Sequence, residues 1–136
     1  MSAFLFIYGT LRRQLIENQR VQHHAEFIAE ASMQGRLYLL DGYPGVVDST
    51  DFADTVHGEL YQIHRSSALF AILDEYEECS ATFAKPHEYR REQRPIRLAD
   101  GRKFNAWVYL YNWDIRDLPQ IVSGDFLGHD SAGFQE

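Results

Sequence analysis

The chain has 136 residues, a formal net charge of -7, 45% apolar and 14% aromatic residues, and a single cysteine. Its length suits one domain over residues 1–136, its apolar content excludes a disordered chain, and its charge excludes a polyphosphate partner unless the basic residues gather on one face. Cys79 cannot form an internal disulfide, residues 1–8 lack the basic region of a signal peptide, and no segment reaches the ~20 apolar residues that span a bilayer, so a cytoplasmic location without membrane attachment is expected.

Residues 3–8 (AFLFIY) form a dense apolar run ending at Gly9, the pattern of a mid-sheet strand buried on both faces. In residues 10–30, Leu15, Val21, Ala25 and Ile28 recur at loosely helical spacing and predict a helix. Residues 35–40 read as a second strand closed by the turn Asp41-Gly42-Tyr43-Pro44-Gly45, and residues 55–63 as a third. Ser66 or Ser67 can cap a helix through Ala68, Leu69, Phe70, Ile72, Leu73 and Tyr76, whose apolar positions follow the 3.6-residue period.

Residues 89–98 and 103–113 flank Ala99-Asp100-Gly101, a hairpin signal. In the first of them Arg90, Arg91, Arg94 and Arg97 mingle with Glu92, and Glu88 precedes them, the mixed pattern of a solvated strand edge; nucleic acid is therefore not an expected partner. The glycine-rich end frays from Ser131. Strands interleaved with few helices, without a regular βαβ rhythm, predict an α+β fold with a mixed or curled sheet.

The acidic run Asp74-Glu75-Tyr76-Glu77-Glu78 closes the clearest helix. Counting back by four, Glu75 lies over Ala71 and Glu78 over Asp74, whereas Glu77 lies over Leu73 and Leu69, on the apolar stripe. A carboxylate there is desolvated and sits at the negative end of the helix dipole. Both effects raise its pKa toward the range of a general acid/base. The alternative is that the helix stops at Tyr76 and Glu77 turns into solvent. At the other end of the chain, the break of a buried strand at Tyr8-Gly9-Thr10-Leu11 frees backbone N–H groups that can hold a carboxylate.

Phe6-Ile7-Tyr8-Gly9-Thr10-Leu11-Arg12, the Gly42-Tyr43-Pro44-Gly45 turn, Leu73-Asp74-Glu75-Tyr76-Glu77, Gly58-Glu59-Leu60-Tyr61, Tyr89 with Arg90 or Arg91, Trp107-Val108-Tyr109 and Gly124-Asp125-Phe126 together resemble the γ-glutamylcyclotransferase-like family, especially its small γ-glutamylamine cyclotransferase branch. The resemblance implies an α+β fold with a barrel-like sheet enclosing the pocket, a few short helices, and no metal or organic cofactor. It implies Glu77 as the catalytic acid/base and a substrate site built on Tyr8, Gly9, Thr10, Leu11, Tyr43 and Pro44. The implied reaction is attack of a substrate's α-amine on its own γ-carbonyl, releasing 5-oxoproline and an amine. Tyr109 or Tyr111 supplies a hydroxyl to the pocket or merely covers a sheet face.

The six histidines show no metal-ligand spacing, and Cys79, beside acidic residues, reads as structural rather than nucleophilic. The expected partner is a small γ-glutamyl molecule, and the protein itself a monomer or weak homodimer. The rival reading is a ligand-binding or regulatory module that keeps the pocket and has lost turnover.

Overall fold

Seven strands form one sheet in the order β1-β5-β2-β6-β7-β4-β3, and a further pairing of β1 with β7 closes five of them into a mixed barrel. The computed structural model describes residues 3–13, 15–77 and 85–127. The strands are β1 (Ala3–Ile7), β2 (Ala25–Gln34), β3 (Arg36–Leu39), β4 (Pro44–Val47), β5 (Thr55–Ile63), β6 (Tyr89–Leu98) and β7 (Lys103–Tyr111); the helices are the single-turn α1 (Gln19–Gln22) and the longer α2 (Ser66–Tyr76). Cys79 and the tail from residue 128 lie outside the described residues.

β1 is buried on both faces because it divides two apolar clusters. Phe6 joins Leu60, Met33, Ile96, Val108 and others drawn from all five closing strands, which fill the barrel. Leu5 and Ile7 join Tyr61, Tyr89 and Tyr109 in the second cluster, beneath Leu69 and Leu73 of α2. The helical period found in the sequence therefore turns one stripe of α2 onto the barrel. Both leucines are fully buried, and Leu69→Ala is expected to lower stability by about 2–5 kcal/mol in urea denaturation, since the barrel wall beneath cannot collapse into the space.

Four expectations fail. The helix predicted over residues 10–30 shrinks to α1, and Ala25–Gln34 is instead a ten-residue strand against β5 and β6. A bulge between Phe27 and Ala29 shifts its register, so Ala25 and Phe27 pack with the outer cluster while Ala31 and Met33 face the barrel interior. Secondly, the serine cap is absent: Arg65 occupies the N-cap position of α2 without a side-chain cap bond. Thirdly, Pro44 and Gly45, read as the end of a turn, open β4 and pair with β3. The second hairpin strand stops at Tyr111 rather than at Trp113.

Candidate functional site

The site lies where two strands share one edge of β7. β6 pairs along the whole of β7, leaving a single free edge. β1 takes that edge at Trp107, opposite Leu5, and β4 takes it further along at Leu110, opposite Val46, both running parallel to β7. The chain leaving β1 must therefore swing aside just where β4 enters. A Cβ at Gly9 would come within 2.7 Å of the Pro44 ring, so only glycine passes there without displacing β4. Gly9→Val is expected to reduce soluble yield and to lower the melting temperature of any folded fraction, measured by differential scanning fluorimetry.

Beside this fork opens a cavity of about 360 Å³, a size suited to a small ligand. Its wall comprises Tyr8, Gly9, Thr10 and Leu11 after β1, Tyr43 and Pro44 before β4, Leu73, Tyr76 and Glu77 from the end of α2, Glu88 and Tyr89 at the start of β6, and Tyr109 of β7, with Leu5, Phe6 and Ile7 behind.

The loop after β1 is held from below. Arg12 N–H donates to the Gly9 carbonyl at 3.1 Å, closing a turn, and the Asn18 amide donates to the Leu11 carbonyl at 2.8 Å. Arg13 N–H donates to Glu59 Oε1 at 2.9 Å, and the Tyr61 hydroxyl donates to the same oxygen at 2.9 Å. Glu59 is completely buried, with the guanidinium of buried Arg12 3.7 Å away and that of Arg13 at 3.3 Å. Among the described residues the N–H groups of Thr10 and Leu11 find no acceptor, which leaves them available to an anionic ligand group.

Glu77 stands immediately after the last residue of α2, yet its N–H still donates to the Leu73 carbonyl at 2.8 Å. The helical path thus continues long enough to set its side chain into the cavity wall, half-buried, rather than out with Glu75. Burial first, and then the charge of Glu77, raises the Tyr8 hydroxyl pKa well above its ordinary value. Tyr89 and Tyr76 are raised in the same direction, chiefly by burial, with Glu77 contributing to each. All three hydroxyls are therefore protonated donors at neutral pH. Tyr8 donates to the Tyr109 carbonyl at 2.6 Å and Tyr89 to the Pro44 carbonyl at 2.6 Å, bracing the two sides of the fork; the hydroxyls of Thr10 and Tyr76 meet at 2.9 Å.

A family model described as gamma-glutamyl cyclotransferase, AIG2-like, matches residues 5–128. The chain belongs to that family. It is 33% identical over 127 residues to the gamma-glutamylcyclotransferase family protein YtfP of Escherichia coli strain K12, covering 93% of this chain and 97% of the relative. The solution structure of ytfP from E. coli, 31% identical, superposes with a TM-score of 0.61 over 96% of this chain and 99% of that one. YkqA of Bacillus subtilis, 22% identical, shares the fold with a TM-score of 0.76 over all of this chain, which spans 44% of YkqA.

For this AIG2-like chain, the structure brings Glu77, Tyr8, Gly9, Thr10, Leu11, Tyr43, Pro44 and Tyr109 around one cavity. Tyr111 is not in its wall; its ring packs edge-on against Tyr89 and Trp113. The Tyr109 hydroxyl donates to Asp74 Oδ1 at 2.7 Å, and Asp74 is held by Nε and Nη2 of Arg91, each at 3.0 Å. Arg91 is thus more than part of a solvated edge: it joins α2 to the barrel and stacks 3.9 Å above the Phe70 ring. Sequence reasoning missed Glu88, Tyr76 and the Tyr89 hydroxyl as wall groups, and Glu59 as the support of the loop. The only signal for Glu59 was a carboxylate inside an otherwise apolar strand, Gly58-Glu59-Leu60-Tyr61.

Proposed function

We propose that this protein is a cyclotransferase acting on γ-glutamyl amides, with Glu77 as general acid/base. The observation that carries the reading is the placement of Glu77 in the same cavity wall as the Tyr8–Leu11 loop, whose Thr10 and Leu11 N–H groups have no acceptor among the described residues. Family membership supports a γ-glutamyl compound as the ligand.

The α-amine of such a compound, with a pKa of about 8, is mostly protonated at neutral pH and must lose a proton before it attacks. Glu77 takes that proton. The α-nitrogen bonds to the γ-carbonyl carbon and gives up a second proton as the ring closes, the carbon–nitrogen bond to the leaving amine breaks, and Glu77 hands a proton to the departing nitrogen, which is too basic to leave as an anion and takes up the other proton to depart as an ammonium. One carboxylate serves both steps, and no water is consumed. The loop N–H groups hold the α-carboxylate, fixing the γ-glutamyl chain in its cyclising shape and removing much of the entropic barrier. The braced tyrosines keep that geometry rigid.

The test is 5-oxoproline release from a panel of γ-glutamyl amines and γ-glutamyl dipeptides. Turnover of at least one member is expected. Tight binding of 5-oxoproline with no turnover of any member would replace the enzyme by a ligand-binding module.

A further inference from the structure

Among the described residues the cavity wall carries two carboxylates, Glu77 and Glu88, and no lysine, arginine or histidine. Glu88 is half-buried just before β6, and its Oε2 is fixed by the Tyr43 hydroxyl at 2.8 Å. Among the described residues it has no cationic partner. Three of the four arginines that follow it on β6 are engaged elsewhere, Arg90 with Glu92, Arg91 with Asp74 and Arg94 with Asp48, and the fourth, Arg97, is exposed at the far end of the strand, opposite Lys103. The undescribed stretch 78–84 contains no basic residue. The charge of Glu88 is felt within the cavity: it helps to raise the hydroxyl pKa of Tyr8, after burial and Glu77, and that of Tyr89, after burial, Tyr8 and Glu77.

A γ-glutamyl head brings one α-carboxylate, for the loop N–H groups, and one α-amine, for Glu77. Glu88 is left over for the rest of the substrate. A leaving group with its own carboxylate would meet two like charges and no cation, which disfavours it, whereas an ammonium would meet a preoriented anion. Resting on the cyclotransferase reading, we infer that Glu88 is a specificity residue that selects γ-glutamyl amides whose leaving amine bears a second, protonated nitrogen and no carboxylate, that is, mono-γ-glutamyl derivatives of alkyl diamines. The reaction is balanced as before: the α-nitrogen–carbonyl bond forms, the amide bond to the diamine breaks, and the two protons lost by the α-ammonium end on the departing nitrogen.

The experiment compares three amides of equal length, the γ-glutamyl amides of 1,4-diaminobutane, pentylamine and 5-aminopentanoate, with wild type, Glu88→Gln and Glu88→Asp. Wild type is expected to show kcat/KM about tenfold higher for the ammonium amide than for the pentyl amide, and lowest for the carboxylate. Glu88→Gln brings the ammonium-to-pentyl ratio toward one, and Glu88→Asp, which keeps the charge, retains a preference. Equal wild-type values for the ammonium and pentyl amides, or a ratio unchanged in Glu88→Gln, overturn the inference. Should wild type release 5-oxoproline from none of the three, the reaction reading falls, and Glu88 is judged on dissociation constants from calorimetry with the same amides. Tighter ammonium binding in wild type but not in Glu88→Gln then sustains its role, and equal or undetectable binding overturns it.

Discussion

A Glu77→Gln protein is expected to fold normally and to release 5-oxoproline from its best amide about 100- to 10,000-fold more slowly than wild type, the usual worth of a positioned proton-transfer group. The fold should survive because the backbone N–H of residue 77 keeps its bond to the Leu73 carbonyl whichever of the two side chains it carries. Glutamine has the same shape and still accepts hydrogen bonds, so substrate binding should change little. The loss should therefore appear in kcat rather than KM, because the two proton transfers belong to the chemical step. A quench assay for 5-oxoproline, with circular dichroism to verify folding, measures this. Wild-type rates in a folded Glu77→Gln protein would remove Glu77 from the mechanism and leave Glu88 as the other carboxylate in the wall.

Glu59→Leu is expected to be the most damaging change outside the cavity, lowering stability by about 3–5 kcal/mol, as breaking a buried ion pair from one side does. It takes away the acceptor for Arg13 N–H and the Tyr61 hydroxyl and leaves the Arg12 guanidinium buried, with the Asp125 carboxylate at 2.9 Å as its nearest anion. The pair as it stands is imperfect: Arg12 Nε and Glu59 Oε2 are buried without hydrogen-bond partners, 3.7 Å apart. Removing both charges in Arg12→Leu/Glu59→Leu should therefore cost less than the sum of the single changes. A double-mutant cycle in urea tests this. Additive losses would show that the two side chains act independently.

Much of this molecule was legible because the relevant residues obey simple periods. The run Phe4-Leu5-Phe6-Ile7 marked the central strand, Leu69 and Leu73 marked the buried stripe of α2, and Asp100-Gly101 marked the hairpin, where Gly101 adopts a φ of 91°. The same phase argument singled out Glu77. β2 was missed because its bulge swaps faces midway. The odd positions Ala25, Phe27, Ala29, Ala31 and Met33 are apolar throughout, but the extra residue of the bulge, Ile28, breaks the pattern and stands three residues from Ala25, a spacing that mimics a helix. The roles of Glu59, marked only as a carboxylate in an apolar strand, and of Glu88 were illegible for another reason. Their roles depend on which strands meet across the barrel, and Glu88 faces Tyr43 across 45 positions of sequence. No local pattern records such a meeting.

The brace between the Tyr8 hydroxyl and the Tyr109 carbonyl joins residues 101 positions apart. The cavity therefore exists only once the first and last strands of the barrel have met, and a chain lacking that closure has no place for the ligand. Any compound that lodges there binds the folded state alone and raises the melting temperature by mass action, by about 2.7 kcal/mol of added stability at a hundredfold excess over its dissociation constant. The barrel is thus its own reporter: a thermal-shift screen of γ-glutamyl compounds can rank ligands by affinity before any product has been assayed.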